Sequence, residues 1–488
     1  MIDFKNHNLK TELKSLMRMY ILIFYYILII SFTFQCKPSV LNNPSDFQSK
    51  SFLETQILKC MLNGWDCIEL PQNNQGNKLW TKIFGQSGTF QTFGNSSAVE
   101  RSGNVYMVGT TTGSIFGQTK ISPTSENDII IAKFKPDGQL IWAKQTGSTV
   151  TSSTYVELSH IDIFGNLYLI GSANTPFNEL GSIGAGSLLI KVNSSGVILW
   201  TRVVPTGGET LGYGITSDPW GNVYITGNTE EQLLNGQSAT GARNTFIFKY
   251  NPVGDLVWTK LFDSTGISSY GQNIQYEVTT QSLIVSGQIS ATAQFFNKTP
   301  PGSITDSYIV SFDLNGNLKW VQLIGGTGFA TQIRTMSVDQ KGSIYVAGDT
   351  NGNLESNTID GASVQFLTRL NIFGDKIWTK MLGGGGSSVT LVGGLYADNS
   401  GHVYSFGKTN GNLLGISKLG NNDAYLAKYD LKGNIEWIRL SGNTSIDLTG
   451  RGISSDRFGV LYVTGFTSGS FDGQNKLGTY DAFLIKYE

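Results

Sequence analysis

The stretch Asn371-Ile-Phe-Gly-Asp-Lys-Ile-Trp-Thr-Lys380 decides the fold, because its two fixed points, Gly374 and Trp378, recur along the whole chain. Glycine stands four residues before tryptophan at Gly76/Trp80, Gly138/Trp142, Gly196/Trp200, Gly254/Trp258, Gly316/Trp320, Gly374/Trp378 and Gly433/Trp437, with tryptophan spacings of 58 to 62 residues. A period of that size is the signature of one supersecondary unit repeated in an array. Within the unit, Asn371 and Gly374 stand at the first and fourth positions of a type I turn, and Asn251-Pro252-Val253-Gly254 adds the proline preferred at the second. Asp313 to Gly316 and Asp430 to Gly433 keep the spacing.

Three further elements complete each copy. A short apolar strand ends in glycine, as in Gly103-Asn-Val-Tyr-Met-Val-Gly109. Its tyrosines are Tyr106, Tyr168, Tyr224, Tyr345, Tyr404 and Tyr462, with Ile284 in the fourth copy. A second strand ends near a basic residue: Lys133, Lys191, Lys249, Arg369, Lys428 and Lys486, with Ser311 as the exception. A weaker strand precedes the tyrosine strand, for example Tyr213-Gly-Ile-Thr-Ser217. Four strands in each of seven copies predict an all-β, seven-bladed β-propeller with four antiparallel strands per blade. The repeats begin with the Trp80 strand and finish with Asp481-Ala-Phe-Leu-Ile-Lys-Tyr-Glu488, which elsewhere precedes a tryptophan strand. The N-terminal Trp80 strand is therefore expected to complete the last blade and close the ring without an orphan edge.

Asp423-Ala-Tyr-Leu-Ala-Lys-Tyr429, Asp481-Ala-Phe-Leu-Ile-Lys486 and the Gly-Asn-Val-Tyr-x-x-Gly segments resemble the bacterial seven-bladed β-propeller repeat (SBBP) family, over about residues 77–488. That resemblance implies the propeller fold and an envelope or secreted protein, and little specific chemistry. The Gly-x-x-x-Trp element also resembles the tryptophan-docking repeats of quinoproteins and of the propeller lipoprotein of the outer-membrane barrel assembly machinery. Trp80, Trp142, Trp200, Trp258, Trp320, Trp378 and Trp437 read as structural blade anchors. The basic residue two positions after six of them suits protection of an outer strand edge.

Composition excludes several functions. The 488 residues carry 35 basic and 36 acidic side chains, so there is no basic footprint for nucleic acid. Three histidines and three cysteines leave almost nothing from which to build a metal site, so no metal and no cofactor is expected. Beyond the N-terminal region only His160 and His402 remain, in different repeats, and they suggest no catalytic triad. The expectation is a non-enzymatic protein. The 59 glycines and 15% charged residues fit tight turns between short strands.

The N-terminus reads as a targeting segment. Lys5, Lys10, Lys14 and Arg18 precede an apolar run from Met19 to Phe34, the pattern of a secretory signal. Phe32-Thr33-Phe34-Gln35-Cys36 resembles a relaxed lipobox, which implies a signal peptide over 1–35 and lipidation of Cys36; the alternative is an uncleaved signal anchor. Residues 36–50 read as a flexible tether and 51–75 as a short helical segment, in which Cys60 and Cys67 either form a disulfide or stay as buried thiols. The propeller then runs over 76–488.

Both short hairpins of a blade join strands at the same end, so the short turns are expected on one face and the long connections on the other. On the long-loop face Asp128, Asn244, Asp306, Asp423 and Asp481 hold one equivalent position. They either ring a cation or polar ligand, or each caps its own loop through an Asx-type hydrogen bond. The reading that follows is a lipid-anchored, monomeric envelope protein, at the outer membrane and either periplasmic or surface-exposed, which binds a protein or glycan ligand through its long-loop face. A scaffold role in outer-membrane protein assembly is the alternative, and a carboxylate-dependent hydrolase of glycans or peptides is the third.

Overall fold

The computed structural model describes residues 74–123, 126–149, 153–173, 186–205, 209–262, 268–290, 294–302 and 304–488. The signal segment 1–35, Cys36, the tether, and residues 51–73 with Cys60 and Cys67 lie outside the described residues. Among the described residues every regular element is a strand, and seven four-stranded antiparallel sheets form the blades.

Blade 5 is representative. From the axis outward it comprises Thr331–Val338, Ile344–Thr350, Val364–Leu370 and Lys376–Leu382. The innermost strands of blades 1 to 7 begin at Thr92, Thr154, Thr210, Ser269, Thr331, Thr390 and Leu448. The two middle strands are covered on both faces by neighbouring blades, which is why they are near-continuous apolar runs such as Ile129-Ile-Ile-Ala132 rather than alternating ones. The core therefore lies in the seams. Between blades 4 and 5, Ile284, Ile309 and Ile324 pack on Ile333, Ile344, Val346 and Phe366.

The tryptophan strand is outermost in every blade, and Lys78–Phe84 pairs antiparallel with Asp481–Tyr487 in the seventh. Backbone bonds between Asn77 and Glu488 in both directions, at 2.7 and 2.9 Å, extend that pairing. Asn74 and Gln75, at the end of the segment assigned above to 51–75, belong to the ring. With Gly76 they stand where the other blades place their outer hairpin turn.

Each indole reaches forward to that turn in the next blade. Trp80 Nε1 donates to the Pro136 carbonyl, Trp200 to Pro252, Trp320 to Ile372 and Trp437 to Asn74, at 3.0–3.2 Å. The basic residue of the third strand shares the acceptor. Lys191 Nζ donates to Pro252 O at 3.0 Å and Lys486 Nζ to Pro136 O at 3.0 Å. Lys191 Nζ also lies 5.2 Å from the Tyr168 ring centroid, and Tyr168 donates to Asp162, whose other oxygen accepts the turn amides of Phe164 and Asn166. Asp, Tyr, Lys and Trp, which repeat as separate sequence marks, thus form one chain of contacts across a blade. In blade 4, which lacks the Tyr and Lys, the Glu277 carboxylate accepts the Thr279 and Thr280 amides instead.

The long inserts between the second and third strands do more than form loops. In six blades a miniature hairpin drops a buried apolar residue into the seam: Ile115, Leu234, Phe295, Leu354, Leu413 and Phe471. The tips reach the blade's own outer strand, as in Asn357 Nδ2 to Thr379 O at 3.1 Å and Lys78 to Asp472 at 2.6 Å. These hairpins help shield the outer strands, a task the sequence had assigned to the basic residue after each tryptophan. That residue instead lies over the adjacent turn, as where Arg202 Nε donates to Gly254 O at 2.6 Å.

Gly374 combines a φ of +87° with a position where an added Cβ would stand 2.6 Å from the Trp320 ring. Gly117, with φ +73°, has nothing within 4 Å. Gly374→Ala carries both backbone strain and overpacking, Gly117→Ala only the strain. Chemical denaturation is expected to show Gly374→Ala costing at least about 1 kcal/mol more than Gly117→Ala. Equal costs would mean the indole does not press on its neighbour's turn.

Candidate functional site

The seven innermost strands line a central channel of about 850 Å³. Each of these strands carries a β-bulge at the same point. The register against the second strand shifts between Gly94 and Ser96, Val156 and Leu158, Gly212 and Gly214, Gly271 and Asn273, Ile333 and Thr335, Val392 and Gly394, and Gly450 and Gly452. A bulge inserts one residue without a ladder partner and re-aims its side chain. The inserted residues are Asn95, Glu157, Tyr213, Gln272, Arg334, Gly393 and Arg451, and all seven line the channel. One position per blade, glycine in the sixth, therefore yields a ring of polar and charged groups on the axis from the other six blades.

Small residues beside the bulges let the inner strands approach closely. A Cβ at Gly214 would stand 2.8 Å from Asn273 Cα, and one at Gly394 would stand 2.7 Å from Arg451 O. Polar bridges tie adjacent blades at this level: Asn95 Nδ2 to Val156 O at 2.7 Å, Asn273 Nδ2 to Arg334 O at 2.9 Å, and Ser96 to Ser159 at 2.8 Å. The ring is thus mounted on cross-linked backbone.

Its charges are mixed. Arg334 Nε donates to Asp349 at 2.8 Å and Arg334 Nη2 to Gln332 at 2.7 Å. Burial pushes the Asp349 carboxyl above its ordinary range, against the pull of Arg334. The surrounding channel walls desolvate Glu157 and raise its carboxyl, opposed by the positive charge of Arg451, while its side chain stays open to channel solvent. The Arg451 guanidinium lies 5.7 Å from the Phe466 ring centroid. His160 also lines the channel; its Nε2 is 2.8 Å from Ser217 Oγ, and burial lowers its pKa to about 4, so it is neutral at neutral pH. A side cavity of about 290 Å³ adjoins the ring between blades 2 and 3, where Tyr155, Glu209 and Leu211 join Glu157 and Tyr213. Arg243 clamps its edge through Glu209 at 2.5 Å and Glu230 at 2.8 Å.

The residues singled out on the long-loop face are placed differently. Asp128, Asn244, Asp306, Asp423 and Asp481 are fully buried, one to a blade, and do not converge. Asp128 accepts the Ile121 and Ser122 amides at 2.7 and 2.9 Å, Asp423 those of Leu419 and Gly420, Asp481 those of Leu477 and Gly478, and Asp306 that of Gly302. Asn244 accepts from Gly241 N and donates to Gly241 O. Their polar atoms face the loops that precede them. His402 sits apart from His160, beside Asp398 and Glu436 near the short turns. Among the described residues no three of His, Cys, Asp and Glu gather closely enough to hold a metal ion.

Sequence reading missed the axial ring because a bulge breaks the alternation by which strands are recognised. A faint signal exists: the inserted residue stands eleven positions before the tyrosine in six copies, and twelve before Ile284 in the fourth.

With fold and channel in view, the class is a seven-bladed propeller with a polar axial ring. Residues 319–355 and 436–472 match the family model of the beta-propeller repeat SBBP, so the chain carries SBBP repeats in its fourth to fifth and sixth to seventh blades. It is 24% identical over 480 residues to an uncharacterized WD repeat-containing protein of Acanthamoeba polyphaga mimivirus, covering 76% of this chain and 34% of that one. It is 23% identical over 430 residues to the regulatory protein FlaEY of Caulobacter vibrioides, covering 78% of this chain and 44% of that one. The chain therefore spans about a third to under half of the curated relatives it matches. A solved polysaccharide lyase, Uly1, is 12% identical with a TM-score of 0.44, covering 86% of this chain and 94% of its own.

Raising the Glu157 pKa means that the folded state holds its proton more tightly than the unfolded chain does. Stability is then lost as pH rises from the ordinary glutamate value of 4.5 through the raised native one. Above that range Glu157→Gln is expected to raise the melting temperature only slightly, because channel solvent screens the exposed side chain, and below it to leave it unchanged. A gain that is the same at every pH would show that ionisation of Glu157 is not the cause.

Proposed function

We propose that this protein is an envelope-tethered binding platform that engages a protein or glycan ligand at the channel mouth on its long-loop face. The observation that carries the reading is the bulge ring: seven equivalent positions carry six residue types, five of them with polar or charged side chains aimed at one axis, on a scaffold cross-linked at that level. A purely structural repeat has no need to diversify such a position, whereas a recognition site does. The packing positions of the same blades, by contrast, repeat as Asp, Tyr, Lys and Trp. Binding is favoured over hydrolysis because each channel carboxylate faces an arginine, Asp349 to Arg334 and Glu157 to Arg451. In this reading Cys36 carries the lipid that holds the platform at the envelope, and residues 37–73 link it to the propeller.

A photo-cross-linking amino acid at Gln272 in intact cells is expected to capture a discrete ligand, which Arg451→Ala then reduces. The same group at Gln340, on the opposite face, should not capture it. Capture of the same partner equally at both positions would overturn the channel as the binding site. Separately, Cys36→Ala is expected to move the protein from the membrane to the soluble fraction.

A further inference from the structure

The face of the disk opposite the long loops has a surface chemistry of its own. Thirteen short turns bring their tips to one end of the propeller, two per blade except in blade 7, where the outer turn is replaced by Asn74–Gly76. Such tips are ordinarily polar. Here Phe373 is 71% exposed, Val253 64%, Phe164 53% and Trp220 40%. Of the twenty-three exposed large hydrophobics among the described residues, sixteen lie on these turns or at the adjoining starts of the outermost strands. Trp220 is not one of the seven docking tryptophans. It stands beside Gly221, and a Cβ on that glycine would lie 3.3 Å from both Phe164 and Pro252, so the tips of blades 2 and 3 form one continuous patch.

Charge is distributed to match. The two central positions of the thirteen turns carry Arg101, Lys341, Lys432 and Arg457, all exposed, against Asp137 alone. The acidic residues that open the turns are folded inward; Asp339, for instance, accepts the Lys341 and Ser343 amides at 2.9 and 2.8 Å. Asp255 and Asp375 at the strand starts are each held by an asparagine four residues earlier. The turn tips are therefore apolar and aromatic with outward cations at their centres, while the exposed Asp255 and Asp375 sit back at the strand starts, each tied to an asparagine. The chain also enters the disk here, since Asn74 accepts the Trp437 indole and donates to Gly459 O beside a short turn.

We infer that the short-turn face docks on an anionic phospholipid bilayer, with Phe164, Trp220, Val253 and Phe373 entering the interface and Lys341, Lys432 and Arg457 facing the headgroups. A set of tips on one end of a rigid disk fits a plane better than a groove, and a mix of aromatic and basic side chains is what the headgroup region favours. The inference does not depend on a lipid at Cys36. It directs the channel mouth away from the membrane.

Residues 74–488 complete all seven sheets among themselves and contain no cysteine, so this fragment serves for the test. Flotation with phosphatidylcholine vesicles containing roughly one-third phosphatidylglycerol is expected to recover it, and pure phosphatidylcholine to recover it poorly. Lys341→Glu with Lys432→Glu and Arg457→Glu should lower binding by more than about tenfold. Phe164→Ser with Trp220→Ser and Phe373→Ser should do the same. Ile304→Ser with Leu419→Ser and Leu477→Ser, at the long-loop ends of their blades, should leave binding unchanged. A bimane label on Phe373→Cys should shift to the blue on adding vesicles, while one on Leu419→Cys, at the long-loop end, should not. Failure to float, equal loss in the opposite-face variant, or self-association through the turn face in place of vesicle binding would each overturn the proposal.

Discussion

One backbone carbonyl per blade holds the ring together. It sits at the second position of the outer hairpin turn and accepts the indole N–H and, at six of the seven seams, the lysine or arginine of the preceding blade's third strand, as Pro252 O does from Trp200 and Lys191. A lone hydrogen bond of this kind contributes about 1 kcal/mol. Its importance lies in placement, because the same indole packs against the turn glycine, the same cation covers a tyrosine in six blades, and in four of these, at Tyr106, Tyr168, Tyr224 and Tyr404, the tyrosine donates to the acid of the inner turn. Each seam thereby sets the angle between neighbouring blades. The angles must sum to a full circle, so the spacing of Gly, Trp, Tyr and Lys is constrained in every copy.

With the seams fixed in this way, the axis is free to vary. Bulges sit where the inner strands no longer need to match a partner residue for residue, and there the seven copies diverge into Asn, Glu, Tyr, Gln, Arg, Gly and Arg. The division of labour is radial: packing identity is held in the outer three strands and chemical identity at the centre. The fully buried Asp128, Asp306, Asp423 and Asp481 belong to the packing side, tying each insert to the start of its third strand.

Legibility in the sequence follows the same radius. Turn residues and tryptophans were readable because glycine at positive φ and a large docked ring tolerate few substitutes, and their period exposed the blade count directly. Glycine four residues before tryptophan looked like a feature of one hairpin; the structure shows that it receives the ring of the preceding blade, as Gly374 receives Trp320, a pairing across 54 residues that no local pattern reveals. The inner strands were the faintest element, since an inserted residue erases the alternation of a half-buried strand and small residues replace its apolar ones. The axial ring was hidden for the same physical reason that it exists. The miniature hairpins of the inserts were unread because their single anchor, Phe471 or Leu413, is indistinguishable in sequence from any loop hydrophobe.

The pairing of Lys78–Phe84 with Asp481–Tyr487 has a temporal consequence. Six blades can assemble from contiguous chain as it is made, each by local hairpins with low contact order. The seventh needs two segments about 400 residues apart, and its loop closure can be met only when the last strand has emerged. Until then the growing propeller carries an open edge at Leu461–Thr467, an unpaired Lys78–Phe84 segment and an unfilled seam at Trp437. Completion of the ring is thus a single late event, and it converts an aggregation-prone arc into a body with no free sheet edge between its ends.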